Sequence, residues 1–230
     1  MAKKVLVVFG YGPGISDAVA RKFGTEGFTV ALVSRNRERL DAGVASLREQ
    51  GVEAAAFTAD AGDPASIRRA LGDVRARLGP VTVIEWTAYG TGAGDVTTAG
   101  ADELRTIFDV PVVGLASAVQ AALPDLRQSP DAAVLVTNGG LALFDPDADR
   151  TGVEWNAMGL SIANAAKHKL VRLLAHKLKP EGIFVGEVIV LGTVRGTAFD
   201  GGSATLDATR IADEFWKLYL ARDANLATVG

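Results

Sequence analysis

The stretch VLVVFGYGPGISDAVARKF, residues 5–23, joins a hydrophobic run to a helical pattern through three glycines, Gly10, Gly12 and Gly14. A strand that leads through such a turn into a helix points unpaired backbone N–H groups at one place, and the positive end of the helix dipole adds to them. Phosphate oxygens fit there when no Cβ intervenes. The stretch therefore predicts a pyrophosphate site, although glycine-rich turns also join many strands and helices that bind nothing.

Further hydrophobic runs alternate with helical patterns along the rest of the chain. The predicted strands cover residues 4–10, 29–34, 53–59, 81–88, 132–138 and 184–192. Strands rich in Val, Ile and Leu that do not alternate with polar residues are buried on both faces. The pattern predicts an α/β fold with a doubly wound parallel sheet of the Rossmann type, as a single domain over residues 1–230. In this prediction residues 193–230 form a substrate lid and a C-terminal helix, without a last strand.

The composition excludes several classes of function. The chain has 230 residues, a formal net charge of −3, no cysteine and two histidines. These counts argue against a nucleic-acid surface, a disulfide framework, a cysteine nucleophile and a His-rich metal centre. The hydrophobic run before Gly10 is shorter than that of a signal peptide, and no run approaches the roughly 18 residues that span a bilayer. We therefore expect a cytoplasmic protein that has no metal and binds neither nucleic acid nor membranes.

The end of the second strand indicates which dinucleotide binds. A fold that binds NAD usually carries an acidic residue about 20 residues past the glycines. The chain instead reads SRNR there, with Ser34, Arg35 and Asn36 at the carboxyl end of the strand. A guanidinium beside a hydroxyl and an amide suits a 2′-phosphate, which favours NADP(H). The alternative is that Arg35 and Arg37 simply begin a solvated helix.

The end of the third strand supplies a second candidate contact with the adenosine. The segment TADAGDP places Asp60 and Ala61 where the adenine would lie, so a carboxylate or a backbone group there accepts from the exocyclic amine. Asp63, before a proline, is also a good N-cap for the next helix.

Together these residues resemble the short-chain dehydrogenase/reductase family over roughly residues 4–197. The segment FGYGPGIS matches the family's Thr-Gly-x-x-x-Gly-Ile-Gly turn at Gly10, Gly14 and Ile15, with Phe9 in place of Thr and Ser16 in place of Gly. VSRN resembles its NADP-preferring members, and ADAGDP resembles its Asp-Val-x-Asp segment. The resemblance implies a Rossmann-type fold, NADP binding and hydride transfer to or from a small organic substrate. It adds Ile15, Thr87, Ala88 and Thr193 to the residues expected at the cofactor.

The catalytic half of the chain departs from the family pattern. The family's catalytic Ser falls near Gly139, and the helix that carries its Tyr-x-x-x-Lys pair contains no tyrosine. One register places the pair at Ala163 and Lys167, and another places it at Leu160 and Asn164; the sequence leaves both open. Loss of a general acid typically removes a factor of about 10²–10⁴ in rate.

Three residues are candidates to replace the missing groups. Lys167 could hold the nicotinamide ribose, or lie on a solvated helix face. Asn138 could donate a hydrogen bond to a substrate oxygen, and Tyr89, at the end of the fourth strand, could act as an acid or form a wall of the pocket.

Four other residues have an expected position but no assigned role. Trp155 covers the substrate site or packs in the interior. Glu85, in a buried strand, pairs with another group or faces the wet end of its strand. His168 and His176 are predicted to be surface residues.

Three hypotheses on function remain. The first is an NADP(H)-dependent oxidoreductase with an atypical active site, and the second is a non-catalytic NADP(H)-binding sensor or partner protein. The third is a lyase or isomerase on the same fold. The resemblance also implies that helices over 102–123 and 160–178 pair with copies of themselves, which gives a homodimer or homotetramer.

Overall fold

Seven parallel strands form one sheet in the computed structural model of the protein, which describes residues 3–230. The order across the sheet is β3-β2-β1-β4-β5-β6-β7. The direction in which successive strands are added therefore reverses between the neighbouring parallel strands β1 and β4. The strands are β1 (Val5–Phe9), β2 (Thr29–Ser34), β3 (Ala54–Thr58), β4 (Val83–Trp86), β5 (Ala133–Gly139), β6 (Phe184–Val190) and β7 (Leu226–Val229). The doubly wound α/β sheet predicted from the sequence is confirmed.

Eight α-helices connect the strands of the described chain. They are α1 (Ile15–Thr25), α2 (Arg37–Glu49), α3 (Pro64–Leu78), α4 (Ala101–Thr106), α5 (Leu115–Leu126), α6 (Pro146–Glu154), α7 (Met158–Leu178) and α8 (Ala208–Ala221). Side-chain oxygens of Asn36, Asp63, Asp145 and Asp207 accept hydrogen bonds from the first-turn amides of α2, α3, α6 and α8. These caps satisfy amides that the helices leave without partners.

Both faces of the sheet are buried under helices. Alternate residues of β1 enter different clusters: Val5 and Val7 pack towards α3, α5 and α7, while Leu6 and Val8 pack towards α1, α2 and α8. Phe23 of α1 contacts Trp216 of α8 edge to face, with 5.0 Å between ring centroids. This two-sided burial explains why the strands read as continuous hydrophobic runs.

The prediction that no strand follows residue 192 is wrong. Residues 226–229 form β7, which pairs in parallel with β6 from Glu187↔Leu226 to Val190↔Val229. Helix α8 is also part of the core, because Ile211 and Phe215 are fully buried against that side of the sheet. The C-terminal segment therefore completes the sheet in addition to lying beside the cavity described below.

The helix predicted over 102–123 is interrupted. It consists of α4, a π-helical turn (Asp109–Gly114) and α5. Gly114 lies so close to the carbonyl oxygen of Ala61 that a Cβ there would collide with it. The stretch 101–126 is long and apolar enough to cross a membrane, but 44% of its apolar window is buried inside the fold. A core helix satisfies the same criteria, so the absence of a membrane partner stays a prediction.

Candidate active site

A cavity of about 1240 Å³ opens at the carboxyl ends of the central strands. Gly10 after β1, Thr87 after β4, Asn138 of β5 and Val190 of β6 all line it. Parallel α/β sheets bind ligands at this edge, where the strand order reverses. The position of the cavity therefore follows from the topology alone.

The glycine turn forms one end of the cavity. Gly10 has φ +83°, and a Cβ there would lie 2.5 Å from the Cα and N atoms of Ala88. The amide of Gly12 already donates to Ser16 Oγ at 2.9 Å, which leaves the first-turn amides of α1 for an anion. Gly14, the N-cap of α1, has φ +94° and supplies no side-chain cap to those amides. Because Gly14 supplies no side chain to the first-turn amides of α1, these amides can bind a phosphate.

Tyr11 holds this turn against the neighbouring helices. Its hydroxyl donates to Asp17 Oδ1 at 2.7 Å, and its ring lies where a Cβ on Gly43 of α2 would be. Burial, followed by the hydrogen bond to Asp17, raises the pKa of Tyr11. The phenol is therefore a structural donor and stays protonated.

The end of β2 carries several cationic side chains. Arg35 is exposed, and within residues 3–230 it has no ion-pair partner. Arg37 is held by Asp41, with Nε 2.8 Å from Oδ2, so this guanidinium is already neutralised. Arg39 lines the cavity, and its Nη1 lies 3.5 Å from the position of a Cβ on Gly12. Asn36 uses its side-chain oxygen to accept from the amide of Arg39 at 2.8 Å.

Asp60 and Ala61 lie outside the cavity lining. The carboxylate of Asp60 accepts from the amide of Gly62 at 2.8 Å, and its own amide donates to Ser66 Oγ. Asp63 caps α3 through the amide of Ala65, as predicted. A role for Asp60 at the adenine stays a prediction.

The structure brings about half of the predicted site residues together. Those that line the cavity are Gly10, Gly12, Ile15, Thr87, Tyr89, Asn138, Lys167 and Thr193. Those that lie at its margin or behind it are Gly14, Ser34, Arg35, Asn36, Asp60, Ala61 and Ala88.

Helix α7 forms the wall opposite the glycine turn. Leu160, Asn164 and Lys167 line the cavity, whereas Ala163 is buried in a small cluster with Ala93 and Ile107. Residues three and four apart share one face of a helix, so the cavity-facing stripe fits the register of Leu160 and Asn164. That Leu160 and Asn164 replace the Tyr and Lys of the family pattern stays a prediction.

Lys167 is buried, so the alternative that it lies on a solvated helix face is wrong, and its contact with the nicotinamide ribose stays a prediction. The residue is 2% exposed, and the described part of the chain offers its amine neither a hydrogen bond nor an ion pair. Burial lowers the pKa of Lys167 to about 8, while Glu187 and Glu85 act in the opposite direction. An amine with this pKa exchanges protons near neutral pH.

Glu85 pairs with hydroxyl groups inside the protein and does not face water. Its Oε1 accepts from Thr87 Oγ1 and, at 3.1 Å, from Thr137 Oγ1, while Oε2 is buried without a partner among residues 3–230. Burial raises the pKa of Glu85 to about 7, against the effect of the two threonines and of Lys167. Thr87 and Thr137 both line the cavity, so they connect the carboxyl group to it.

Asn138 braces the cavity wall. Its amide nitrogen donates to the carbonyl of Asn164 at 3.0 Å and to Glu187 Oε1 at 2.8 Å, and its oxygen accepts from the amide of Gly139. Both amide hydrogens are thus in use inside the protein, and a hydrogen bond from Asn138 to a substrate oxygen stays a prediction. His168, predicted to be a surface residue, is only 17% exposed in its side chain, and its Nδ1 lies 2.6 Å from Glu187 Oε2. His176 is exposed, as predicted.

Aromatic side chains form the outer rim of the cavity. Tyr89 is 44% exposed and contacts Phe199, with 5.5 Å between ring centroids. Trp155 lines the cavity and is 59% exposed, so interior packing does not account for it. The segment from Thr193 to Phe199 also lines this side. Its function as a substrate lid stays a prediction.

The sequence interpretation missed Arg39, Thr137 and Glu187 as site residues. Arg39 follows Arg35 by four residues, about one helical turn. This spacing could have indicated that both arginines lie near the start of α2. Thr137 and Glu187 lie in hydrophobic strands, and only the pairing of β5 with β6 brings Asn138 and Glu187 together. Among residues 3–230 no group of three or more His, Asp or Glu is placed to hold a metal ion.

The chain belongs to the family described as short chain dehydrogenase, whose profile matches residues 4–204. The meso-2,3-butanediol dehydrogenase of Serratia marcescens is 28% identical over 185 residues, which cover 80% of this chain and 69% of that enzyme. For further curated relatives the matched part spans 38% to 88% of the relative's own length. The protein is therefore an oxidoreductase of the short-chain type.

Solved structures show the same fold. A metagenomic short-chain oxidoreductase in complex with NADP is 21% identical with a TM-score of 0.81, and 98% of this chain and 95% of that one are covered. The NADPH-bound structure of a short chain oxidoreductase from Pseudomonas aeruginosa PAO1, which contains an atypical catalytic center, is 22% identical with a TM-score of 0.84. That comparison covers 98% of this chain and 95% of the other.

Proposed function

We propose that the protein is an NADP(H)-dependent oxidoreductase with an atypical active site, which transfers hydride to or from a small organic substrate. The observation that carries the proposal is the pairing of the glycine turn with an arginine-bearing strand end beside one large cavity. A pyrophosphate fits the first-turn amides of α1, and the cavity extends from there past α7.

The residues at the end of β2 fit a 2′-phosphate. Ser34 Oγ is buried without a hydrogen-bond partner in the part of the chain that the structure describes. Arg35 carries a charge that no carboxylate of residues 3–230 neutralises, and Arg39 extends over Gly12. A phosphate would satisfy the hydroxyl and both guanidinium groups at once. A ribose hydroxyl would leave the two cations without a counter-charge.

Arg35→Ala is expected to weaken NADPH binding by about 1–3 kcal/mol, as loss of a charge-assisted hydrogen bond does, and to leave NADH binding nearly unchanged. Isothermal titration calorimetry with both nucleotides measures the difference. Arg37→Ala is the matched control, because the Arg37 guanidinium is already paired with Asp41. This substitution should leave the binding of both NADPH and NADH unchanged. Equal losses for NADPH and NADH in Arg35→Ala would show that Arg35 does not contact the phosphate.

A bound nicotinamide cofactor would supply the hydride chemistry. The chain's own residues then bind and orient the reactants: Thr87 and Thr137 present hydroxyl groups fixed by Glu85, and Asn138 fixes the β5 end to α7. Tyr89, Phe199 and Leu160 supply apolar walls that favour a substrate with a hydrophobic part.

A second hypothesis is a non-catalytic NADP(H)-binding sensor or partner protein. Gly139, Leu160 and Asn164 favour it, because none of them supplies the hydroxyl, phenol or amine of the family pattern. Single-turnover assays with NADPH and a panel of ketones, enones and imines separate the two hypotheses. Hydride transfer to any of these compounds supports the enzyme, and nucleotide binding without transfer supports the sensor.

We also propose a cytoplasmic homodimer or homotetramer. The helical faces over 109–126 and 158–178 expose Val113, Ile162 and Leu173, whose apolar side chains a second copy of the chain would cover. Light scattering is expected to give two or four times the 23.9 kDa mass of the chain. A mass of one chain at micromolar concentration would refute the oligomer.

A further inference from the structure

A cluster of ionisable and polar groups lies at and behind the cavity wall that β5 and α7 form. Lys167 of α7 faces Glu85 of β4 and Glu187 of β6, the two carboxylates that influence its charge. From β5, Thr137 and Asn138 contact these carboxylates, and His168 lies on the far side of Glu187. A buried amine flanked by two acids is an expensive arrangement unless a ligand or a reaction uses it.

The amine of Lys167 is the ionisable group of this cluster that lines the cavity, whereas Glu85 Oε2, which also lacks a partner among residues 3–230, is buried behind the lining. Glu85 Oε1 is occupied by two threonine hydroxyls, and the Asn138 amide is bonded at both hydrogens. Glu187 accepts from Asn138 and contacts His168. Lys167 lines the cavity and, within residues 3–230, bonds to none of these groups. An ammonium has three donor hydrogens, so a ligand oxygen in the cavity would be its natural partner.

The other titratable groups along the cavity are less suitable as proton donors. Tyr11 keeps its proton in the hydrogen bond that it donates to Asp17, and Tyr89 lies at the exposed rim against Phe199. Asp145 caps α6, Asp147 is paired with Arg150, and an arginine such as Arg39 keeps its proton in proteins. Lys167 therefore combines access to the cavity with a charge that can change near neutral pH.

We propose that Lys167 is the proton donor of this site and takes the place of the missing family tyrosine; this inference rests on the proposed oxidoreductase function. For a ketone or aldehyde, the carbonyl carbon gains a hydride from the dihydronicotinamide and the C=O π pair moves to oxygen. That oxygen takes a proton from Lys167 Nζ, which yields an alcohol, oxidised nicotinamide and a neutral amine. Water in the cavity then returns a proton to the amine. In the oxidative direction the neutral amine accepts the alcohol proton.

The acidity of Lys167 can be measured without any cofactor. In protein labelled with [¹³Cε]lysine, the NMR signal that is absent from Lys167→Met is expected to titrate at least about one pH unit below the ordinary lysine pKa of 10.5. A Lys167 signal that titrates at the ordinary value would overturn the proposal.

The kinetic test uses the compound that the wild-type protein reduces fastest in the single-turnover panel. Lys167→Met is expected to slow hydride transfer by about 10²–10⁴-fold with NADPH affinity within about threefold of wild type, while Lys169→Met changes neither. Lys167→Arg keeps the charge but cannot release a proton, so it should stay slow. Recovery by arginine, or a loss of NADPH affinity that accounts for the rate, would assign Lys167 to cofactor binding instead.

The two proposals fail in different ways. If wild-type protein binds NADPH but transfers no hydride, the proposed function fails, and the donor role fails with it. If wild-type and Lys167→Met proteins transfer hydride equally fast, the donor role alone fails. Thermal unfolding verifies that Lys167→Met is folded; an apolar side chain at this buried position is expected to raise the melting temperature.

Discussion

Gly10→Ala is expected to lower the free energy of unfolding by at least about 3 kcal/mol, a loss in the range of overpacked or strained core sites. Gly10 has φ +83°, and its new Cβ would lie 2.5 Å from the Cα and N atoms of Ala88. These are backbone atoms, so no flexible side chain can move aside. Because β1 and β4 are paired at the centre of the sheet, any shift spreads to both strands. Urea unfolding measures the effect.

Two other glycines serve as matched controls for this prediction. Gly51 has φ +77°, and a Cβ added there would meet no atom within 4 Å. Gly51→Ala therefore measures backbone strain alone, about 1 kcal/mol. A Cβ at Gly12 meets Arg39 Nη1 at 3.5 Å, an ordinary contact, so Gly12→Ala should remain folded. If Gly10→Ala is no less stable than Gly51→Ala, the close approach of β1 to β4 does not constrain residue 10.

The central part of the fold could be predicted from local sequence. All six predicted strands are present, and β2 has the same bounds in the sequence prediction and in the structure, Thr29–Ser34. Long runs of Val, Ile and Leu identify strands that are buried on both faces. The last strand, β7, was missed because it has only four residues, of which two are exposed and one is half-buried, so it lacks a continuous buried hydrophobic run. Such a short edge strand depends on its pairing with β6 more than on its own pattern.

The cavity's polar cluster could not be predicted in the same way. Glu85 and Thr137 are 52 residues apart, and Asn138 and Glu187 are 49 apart. Sequence gives no direct signal for contacts between neighbouring strands at that separation. The burial of Lys167 also depends on which face α7 turns towards the sheet. Because α7 carries lysines on two faces, its local periodicity does not determine that face. In contrast, the glycine turn was predictable because its residues are consecutive and its chemistry is local.

Glu85→Gln is expected to change the pH dependence of stability by about 3 kcal/mol. The pKa of Glu85 is raised from 4.5 to about 7 in the folded protein, and each pKa unit corresponds to about 1.4 kcal/mol. Below pH 4.5 the carboxyl group is protonated in both folded and unfolded chains. Between pH 4.5 and 7 the unfolded chain releases this proton while the folded protein retains it, so wild-type stability falls as the pH rises.

The variant lacks this contribution, because an amide has no proton to lose. The unfolding free energy of Glu85→Gln minus that of wild type should therefore rise between about pH 4.5 and 7.5, and groups common to both proteins cancel in the difference. The measurement stays below about pH 7.5 because the ionised Glu85 raises the pKa of Lys167. In Glu85→Gln that effect is lost, so above this pH the titration of Lys167 also differs between the two proteins.

Glu53→Gln provides a control of opposite sign. Glu53 is exposed and paired with Lys3, and its pKa is lowered by that pair, so wild-type protein loses this contribution as the pH falls. The free-energy difference for Glu53→Gln should therefore fall slightly with rising pH, whereas that for Glu85→Gln rises steeply. A flat difference for Glu85→Gln would mean that Glu85 is ionised in the folded protein throughout this range. Lys167 would then face a permanent carboxylate, which would hold its proton more tightly than a proton donor near neutral pH requires.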